Sequence, residues 1–222
     1  MAQLCIFATL YFMIITYLGG ESVKVQFGDA TLAFNPVSKD SSLKPAKYGA
    51  DIVLSSLNHP DMNGVDQVTF GEKKPFVING PGEYEVRGIF IKGMPSESGY
   101  DGEKRINTVY SVQLEGMNIC FLGAINQAEL PKEADEEIDG VDILFVPIGG
   151  TGVLDPAKAY KLAVSIGPKI IIPMHYGDLG NKDALKVFLK EAGENPTPTT
   201  KLTLKKKDLE GKDADVVVLE KE

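Results

Sequence analysis

Only two histidines occur in this 222-residue chain, and each follows an apolar run that reads as a buried strand. His59 lies in Ser55-Ser56-Leu57-Asn58-His59-Pro60-Asp61-Met62, directly after Asp51-Ile52-Val53-Leu54. His175 lies in Met174-His175-Tyr176-Gly177, after Pro168-Lys169-Ile170-Ile171-Ile172-Pro173. Imidazoles and carboxylates hold zinc, and they also move protons near neutral pH. His59, Asp61 and His175 are therefore the candidate metal ligands. Asp61 and His175 are the candidate catalytic residues, and a metal-free version has Asp61 orienting either histidine. The bland alternative is that a lone histidine after a strand is a satisfied structural residue.

Other groups carry weaker signals. Gly149-Gly150-Thr151-Gly152 stands between a strand and a helix, where backbone amides can approach an anion. It lacks the spacing of a phosphate loop and has no adjacent Lys, so a strand-to-helix turn is the favoured reading. Asn79-Gly80-Pro81-Gly82 is turn chemistry, and Glu83 and Glu85 share a face of a strand start as solvated carboxylates. Cys120 falls inside an apolar strand and reads as a small core residue, so no nucleophile identifies itself.

These groups need rigid elements to hold them. Ser22 to Phe27 alternates apolar and polar residues, Gly28-Asp29 turns the chain, and Ala30 to Phe34 returns, which predicts a hairpin. Further strands are expected at 51–54, 75–78, 86–94, 106–115, 117–122 and 141–147. A helix is expected from the cap Asp155 and Pro156 to Ile166, ending at Gly167. A strand at 168–173, a helix at 182–192 and strands at 201–205 and 215–219 complete the chain.

Composition narrows the class. With 43% hydrophobic residues the chain can bury one substantial core, so 13–222 reads as a single domain. A net charge of −8 argues against a broad phosphate-gripping surface and hence against nucleic acid as a partner. The basic run Lys201 to Lys207 alternates with Leu202 and Leu204 and reads as a solvated strand face. Two cysteines make no disulfide framework and fit a reducing cytoplasm. Residues 1–18 carry no charge, which raises a weak membrane anchor as the minority alternative. A spanning helix wants about 20 apolar residues and basic flanks, and no Lys or Arg precedes Lys24, so residues 1–12 read as an apolar extension or a mis-called start.

The order of Tyr17-Leu18-Gly19, a hairpin, the His59/Asp61 loop, Gly80-Pro81-Gly82-Glu83-Tyr84, Ile119-Cys120-Phe121-Leu122-Gly123 and Pro173-Met174-His175-Tyr176 resembles the metallo-β-lactamase-fold superfamily. Its small Zn-dependent hydrolase-like branch, similar to the ascorbate-phosphate lactonase type, is the nearest likeness. The resemblance runs from about Met13 to the end. It implies an α/β (α+β) fold, a four-layer αββα sandwich of two mixed β-sheets flanked by helices.

For the metal site the resemblance implies a His-x-His-x-Asp-His loop, which here reads Leu57, His59, Asp61 and Met62. A His-Leu-Gly-Asp segment has become Phe121-Leu122-Gly123-Ala124, while the last ligand survives as His175. The family's Leu-Gly-His turn is Leu18-Gly19-Gly20, and its Asp-Pro is Asn35-Pro36. His59 would serve one ion, and Asp61 and His175 another ~3.5–4 Å away, so neither keeps three ligands. The bulk of Leu57, Met62 and Phe121 is expected to fill the vacated volume, and Asp61 to hydrogen-bond to His175, His59 or its own loop amides.

Two functions follow. The first is a non-catalytic or repurposed binding homologue of Zn-dependent hydrolases, without a resident cofactor or with zinc at low occupancy. The alternative is an active hydrolase of phosphodiester, lactone or similar ester substrates, with a reduced or displaced single metal site. The partner is an unidentified small molecule or protein, stable membrane association is not expected, and a homo-oligomer is compatible with either.

Overall fold

The computed structural model describes residues 12–72 and 74–222. The expected extension at 1–12 lies, apart from Phe12, outside the described residues. The described chain opens with β1 (Met13–Gly19). It is followed by β2 (Ser22–Phe27), β3 (Ala30–Phe34), β4 (Ile52–Leu54) and β5 (Phe76–Ile78). Then come β6 (Gly82–Val86), β7 (Ile89–Ser98), β8 (Arg105–Leu114), β9 (Met117–Phe121), α1 (Lys132–Glu137), β10 (Ile143–Pro147) and α2 (Pro156–Ile166). The chain ends with β11 (Ile170–Met174), α3 (Ala184–Ala192), β12 (Lys201–Leu204) and β13 (Asp215–Val216).

These strands form two mixed sheets, ordered β12-β1-β2-β3-β4-β5 and β13-β11-β10-β9-β8-β7-β6. In the first, β3 to β5 run parallel and the rest antiparallel. In the second, β9, β10, β11 and β13 run parallel while β6 to β9 form a meander. The alternation read in β2 turns Val23 and Val25 inward with Leu32, Phe34, Ile52 and Leu54, to meet Ile91, Tyr110, Val112 and Phe121 of the second sheet. β10 is buried on both faces: Ile143 and Phe145 face the other sheet, while Leu144 and Val146 pack with Leu162 of α2 and Phe188 of α3. This explains its unbroken apolar run. The helices lie against the seven-stranded sheet. Outside the six-stranded sheet, Ala33 and Val53 are covered by Tyr48, Val65 and Val68 of loops and a 3-10 turn at Val65–Gln67.

The structure departs from the expected elements in places, and the strand expected at 215–219 is only Asp215–Val216. The strand expected at 86–94 is two, because Arg87 and Gly88 both take positive φ (56° and 77°) and close a tight hairpin between β6 and β7. α1 is an acidic surface segment that the apolar pattern does not mark. α2 begins and ends as expected: Asp155 accepts hydrogen bonds from the Ala157 and Lys158 amides at 3.0 and 3.4 Å, and Gly167 closes it at φ 68°. Asp155→Ala is expected to lower stability by about 1 kcal/mol, read as a shifted urea midpoint with unchanged slope. No helix among the described residues is long and apolar enough to cross a membrane.

Candidate functional site

Loops from both sheets meet around a cleft of about 440 Å³, lined among others by His59, Asp61, Tyr100, Asp101, Thr151 and His175. The three residues singled out from sequence thus reach one cleft, with partners that differ from those expected. Asp61 accepts a hydrogen bond from the Tyr100 hydroxyl at 2.6 Å and another from the Ser41 hydroxyl. The carboxylate is thus bonded by Tyr100 and Ser41 in place of the expected histidine or loop amides, and His59 Nδ1, 3.5 Å from it, accepts the Asp61 amide at 3.2 Å. That leaves Nε2 as the protonated nitrogen, 3.9 Å from Asp101 Oδ2. Burial, then the bond to Asp61, push the Tyr100 phenol far above its usual range and keep it a donor.

His175 does not pair with Asp61. Its Nδ1 lies 2.8 Å from Oε1 of Glu21, a carboxylate with no exposed side-chain surface. The local geometry explains this partner. Gly19 and Gly20 turn the chain at φ 95° and 60° between β1 and β2, which places Glu21 at the rim. The Gly20 carbonyl then accepts the His175 amide at 2.6 Å and the Tyr17 hydroxyl at 2.9 Å. Asn35 donates to Glu21 Oε2 at 2.9 Å and to Ser56 Oγ at 2.8 Å, so both carboxylate oxygens are satisfied. A Cβ on Gly149 would lie 2.3 Å from His175 Cδ2, so the glycine is required for the ring to sit there. Sequence reasoning missed Glu21, Ser41, Tyr100 and Asp101. The signal available was an acidic residue next to a double-glycine turn, at the place where the resemblance expects a histidine.

The replaced ligand positions divide. Leu57, Met62 and Ala124 pack with Tyr100 and Val153 into a small apolar cluster under the cleft. Phe121, expected to fill the site, instead joins the inter-sheet core, with ring centroids 4.9 Å from Phe34 and 5.9 Å from Phe145. Its strand register turns that side chain inward. The Tyr100 ring contacts both histidines edge to face, at 4.9 Å from His59 and 5.5 Å from His175. With apolar Leu57, Met62 and Ala124 in place of donors and Phe121 turned into the core, these residues do not fit a two-ion centre. Cys120 is buried as expected, and burial pushes its thiol up to about 12. The amides that an anion would use at the start of α2 are occupied by Asp155.

Residues 14–175 match the β-lactamase superfamily domain. The chain belongs to this superfamily. Its UPF0173 metal-dependent hydrolase from Thermococcus onnurineus is 27% identical over 67% of this chain and 75% of its own length. A namesake from Carboxydothermus hydrogenoformans is 27% identical over 74% and 84%. A solved structure from Thermotoga maritima, described as a Zn-dependent hydrolase of the metallo-β-lactamase superfamily, is 30% identical and covers 93% of this chain and 98% of its own, with a TM-score of 0.73. The fold and the hydrolase-like branch that the sequence resembled are those of its superfamily relatives.

Proposed function

We propose that this protein is a small-molecule hydrolase of the superfamily that acts through an acid–base pair of its own side chains, with His175 as the base and Glu21 as the residue that positions it. The observation carrying the proposal is the buried 2.8 Å contact between His175 Nδ1 and Glu21 at the edge of the cleft. A carboxylate on Nδ1 fixes the proton there and leaves the Nε2 lone pair to accept one. In the reaction, water oxygen attacks an ester or lactone carbonyl, its proton passes to Nε2, and the same proton leaves with the departing alkoxide. The relatives' names support hydrolysis as the class. Asp61, held by Tyr100 and Ser41, lies across the cleft as a second polar anchor.

A single weakly held ion at His59 is the version closest to the relatives' names. Non-catalytic binding is the second reading, favoured by the apolar cluster where ligands would stand. One experiment separates the three: purified protein is assayed against ester, lactone and phosphodiester panels, as isolated, after chelation and with added zinc, alongside elemental analysis. We expect substoichiometric zinc and turnover that survives chelation. Turnover only with zinc favours the one-ion version, and ligand binding without turnover favours the second reading. The net charge of −8 and the cysteine count support a cytoplasmic protein with a small-molecule partner, without nucleic acid or a stable membrane contact. A homo-oligomer is left to a solution mass measurement.

A further inference from the structure

We propose that His59 is a second catalytic residue of the cleft: its Nε2–H donates to the negative charge that develops on the substrate's carbonyl oxygen, and the ring is not a metal ligand. This rests on the reading of the cleft as a hydrolytic site with His175 as its base. The roles of the two ring nitrogens follow from one contact. The Asp61 amide, which can only donate, meets His59 Nδ1 at 3.2 Å. Nδ1 therefore offers its lone pair, and in the neutral ring the hydrogen sits on Nε2. A neutral imidazole ligates a metal through its unprotonated nitrogen, and here that nitrogen is turned to its own loop.

The loop holds this arrangement from several sides. The His59 amide donates to the Leu57 carbonyl at 3.0 Å, and the His59 carbonyl accepts the Met62 amide at 2.8 Å. Tyr100 and Ser41 tie down the Asp61 carboxylate, which fixes the residue whose amide selects the tautomer. The Tyr100 ring meets the imidazole edge to face at 4.9 Å. Nε2–H has no hydrogen-bond acceptor among the described residues, since the Asp101 carboxylate stands 3.9 Å away, beyond hydrogen-bond range. The Ser42 and Thr151 hydroxyls also line the cleft, but both residues are exposed, and an O–H rotates between donor and acceptor roles. The His59 donor is oriented before substrate arrives, which is where such a group gains its effect.

The two histidines thus divide the reaction. Water oxygen bonds to the carbonyl carbon, its proton goes to His175 Nε2, and the carbonyl π pair moves onto the oxygen. There the His59 Nε2–H bonds it without giving up its hydrogen. When the carbonyl re-forms, the alkoxide leaves with the proton from His175.

The test reads the imidazole nitrogens of the isotope-labelled full chain, with both rings neutral. His59 is expected to carry its hydrogen on Nε2 and His175 on Nδ1, opposite tautomers that His59→Gln assigns by removing one ring of two. His59→Ala is expected to lower kcat by about 10²–10³-fold with KM nearly unchanged, the usual cost of losing one oxyanion donor. His59→Gln, whose side-chain amide can place an N–H near the Nε2 position, is expected to recover part of that rate. A hydrogen on His59 Nδ1, zinc shifting the His59 nitrogens as a ligand does, or an unchanged kcat in His59→Ala overturns the proposal. The tautomer and the zinc response are read on the wild-type chain and decide it whether or not the alanine protein folds. No turnover by the wild type sinks the hydrolytic reading and this one with it. A loss in His59→Ala beside a wild-type rate in His175→Asn removes the base alone.

Discussion

His175→Ala is expected to lower the hydrolytic rate by about 10²–10⁴-fold, the usual contribution of a positioned general base. The loss belongs in kcat, because the ring moves a proton in the transition state and adds little to substrate binding. The backbone complicates the choice of substitution: His175 has φ 64°, a left-handed conformation in which alanine is strained. His175→Asn is the companion variant, since asparagine tolerates that conformation and its amide can still donate to Glu21. Both are expected to lose turnover, and the asparagine protein is expected to keep its unfolding midpoint. A rate equal to wild type in His175→Asn would remove His175 from the chemistry.

Glu21→Ala is expected to lower the unfolding free energy by about 3–5 kcal/mol, the cost of removing one member of a buried, hydrogen-bonded pair. The side chain left behind is the reason. Asn35 loses the acceptor for one of its amide hydrogens, and His175 Nδ1–H loses its own in a site closed to water. A domain of ordinary stability, about 5–15 kcal/mol, has little left after such a loss, so the alanine protein is expected to be unfolded near body temperature. Glu21→Gln keeps the shape and an acceptor oxygen while removing the charge. It is expected to fold, to lower kcat and to leave KM nearly unchanged, and Glu21→Asp is expected to recover part of the rate. A merely structural Glu21 would move stability in these variants without separating kcat from KM. Urea unfolding and steady-state kinetics on the three proteins decide it.

Sequence periodicity carries the sandwich well, for a physical reason. β2 faces the core on one side and carries half-buried Lys24 and Gln26 on the other, so its alternation marks the strand, and β10 is buried on both sides, so its run is continuous. The Asp155, Pro156 and Gly167 signals bound α2 because caps act within a few residues. The Arg87-Gly88 turn carries a weaker signal: an arginine at positive φ is set by the hairpin around it. His59, Asp61 and His175 stand out as ionisable residues after buried strands. Their partners do not, because they arrive from distant segments: Tyr100 from the loop after β7, Ser41 from the loop after β3, Glu21 from the β1–β2 turn. A contact across 154 residues leaves no spacing in the sequence.

The Glu21–His175 contact also joins the two halves of the sandwich. Glu21 rides on the six-stranded sheet and His175 on the seven-stranded one. Sliding of one sheet over the other by an ångström would stretch a 2.8 Å contact beyond hydrogen-bond range. The tilted, close-packed rings of Phe34, Phe121 and Phe145 resist that shear from inside the core. The alignment of the base is thereby a readout of how the whole sandwich is packed, and a residue far from the cleft can detune it without touching anything that binds there.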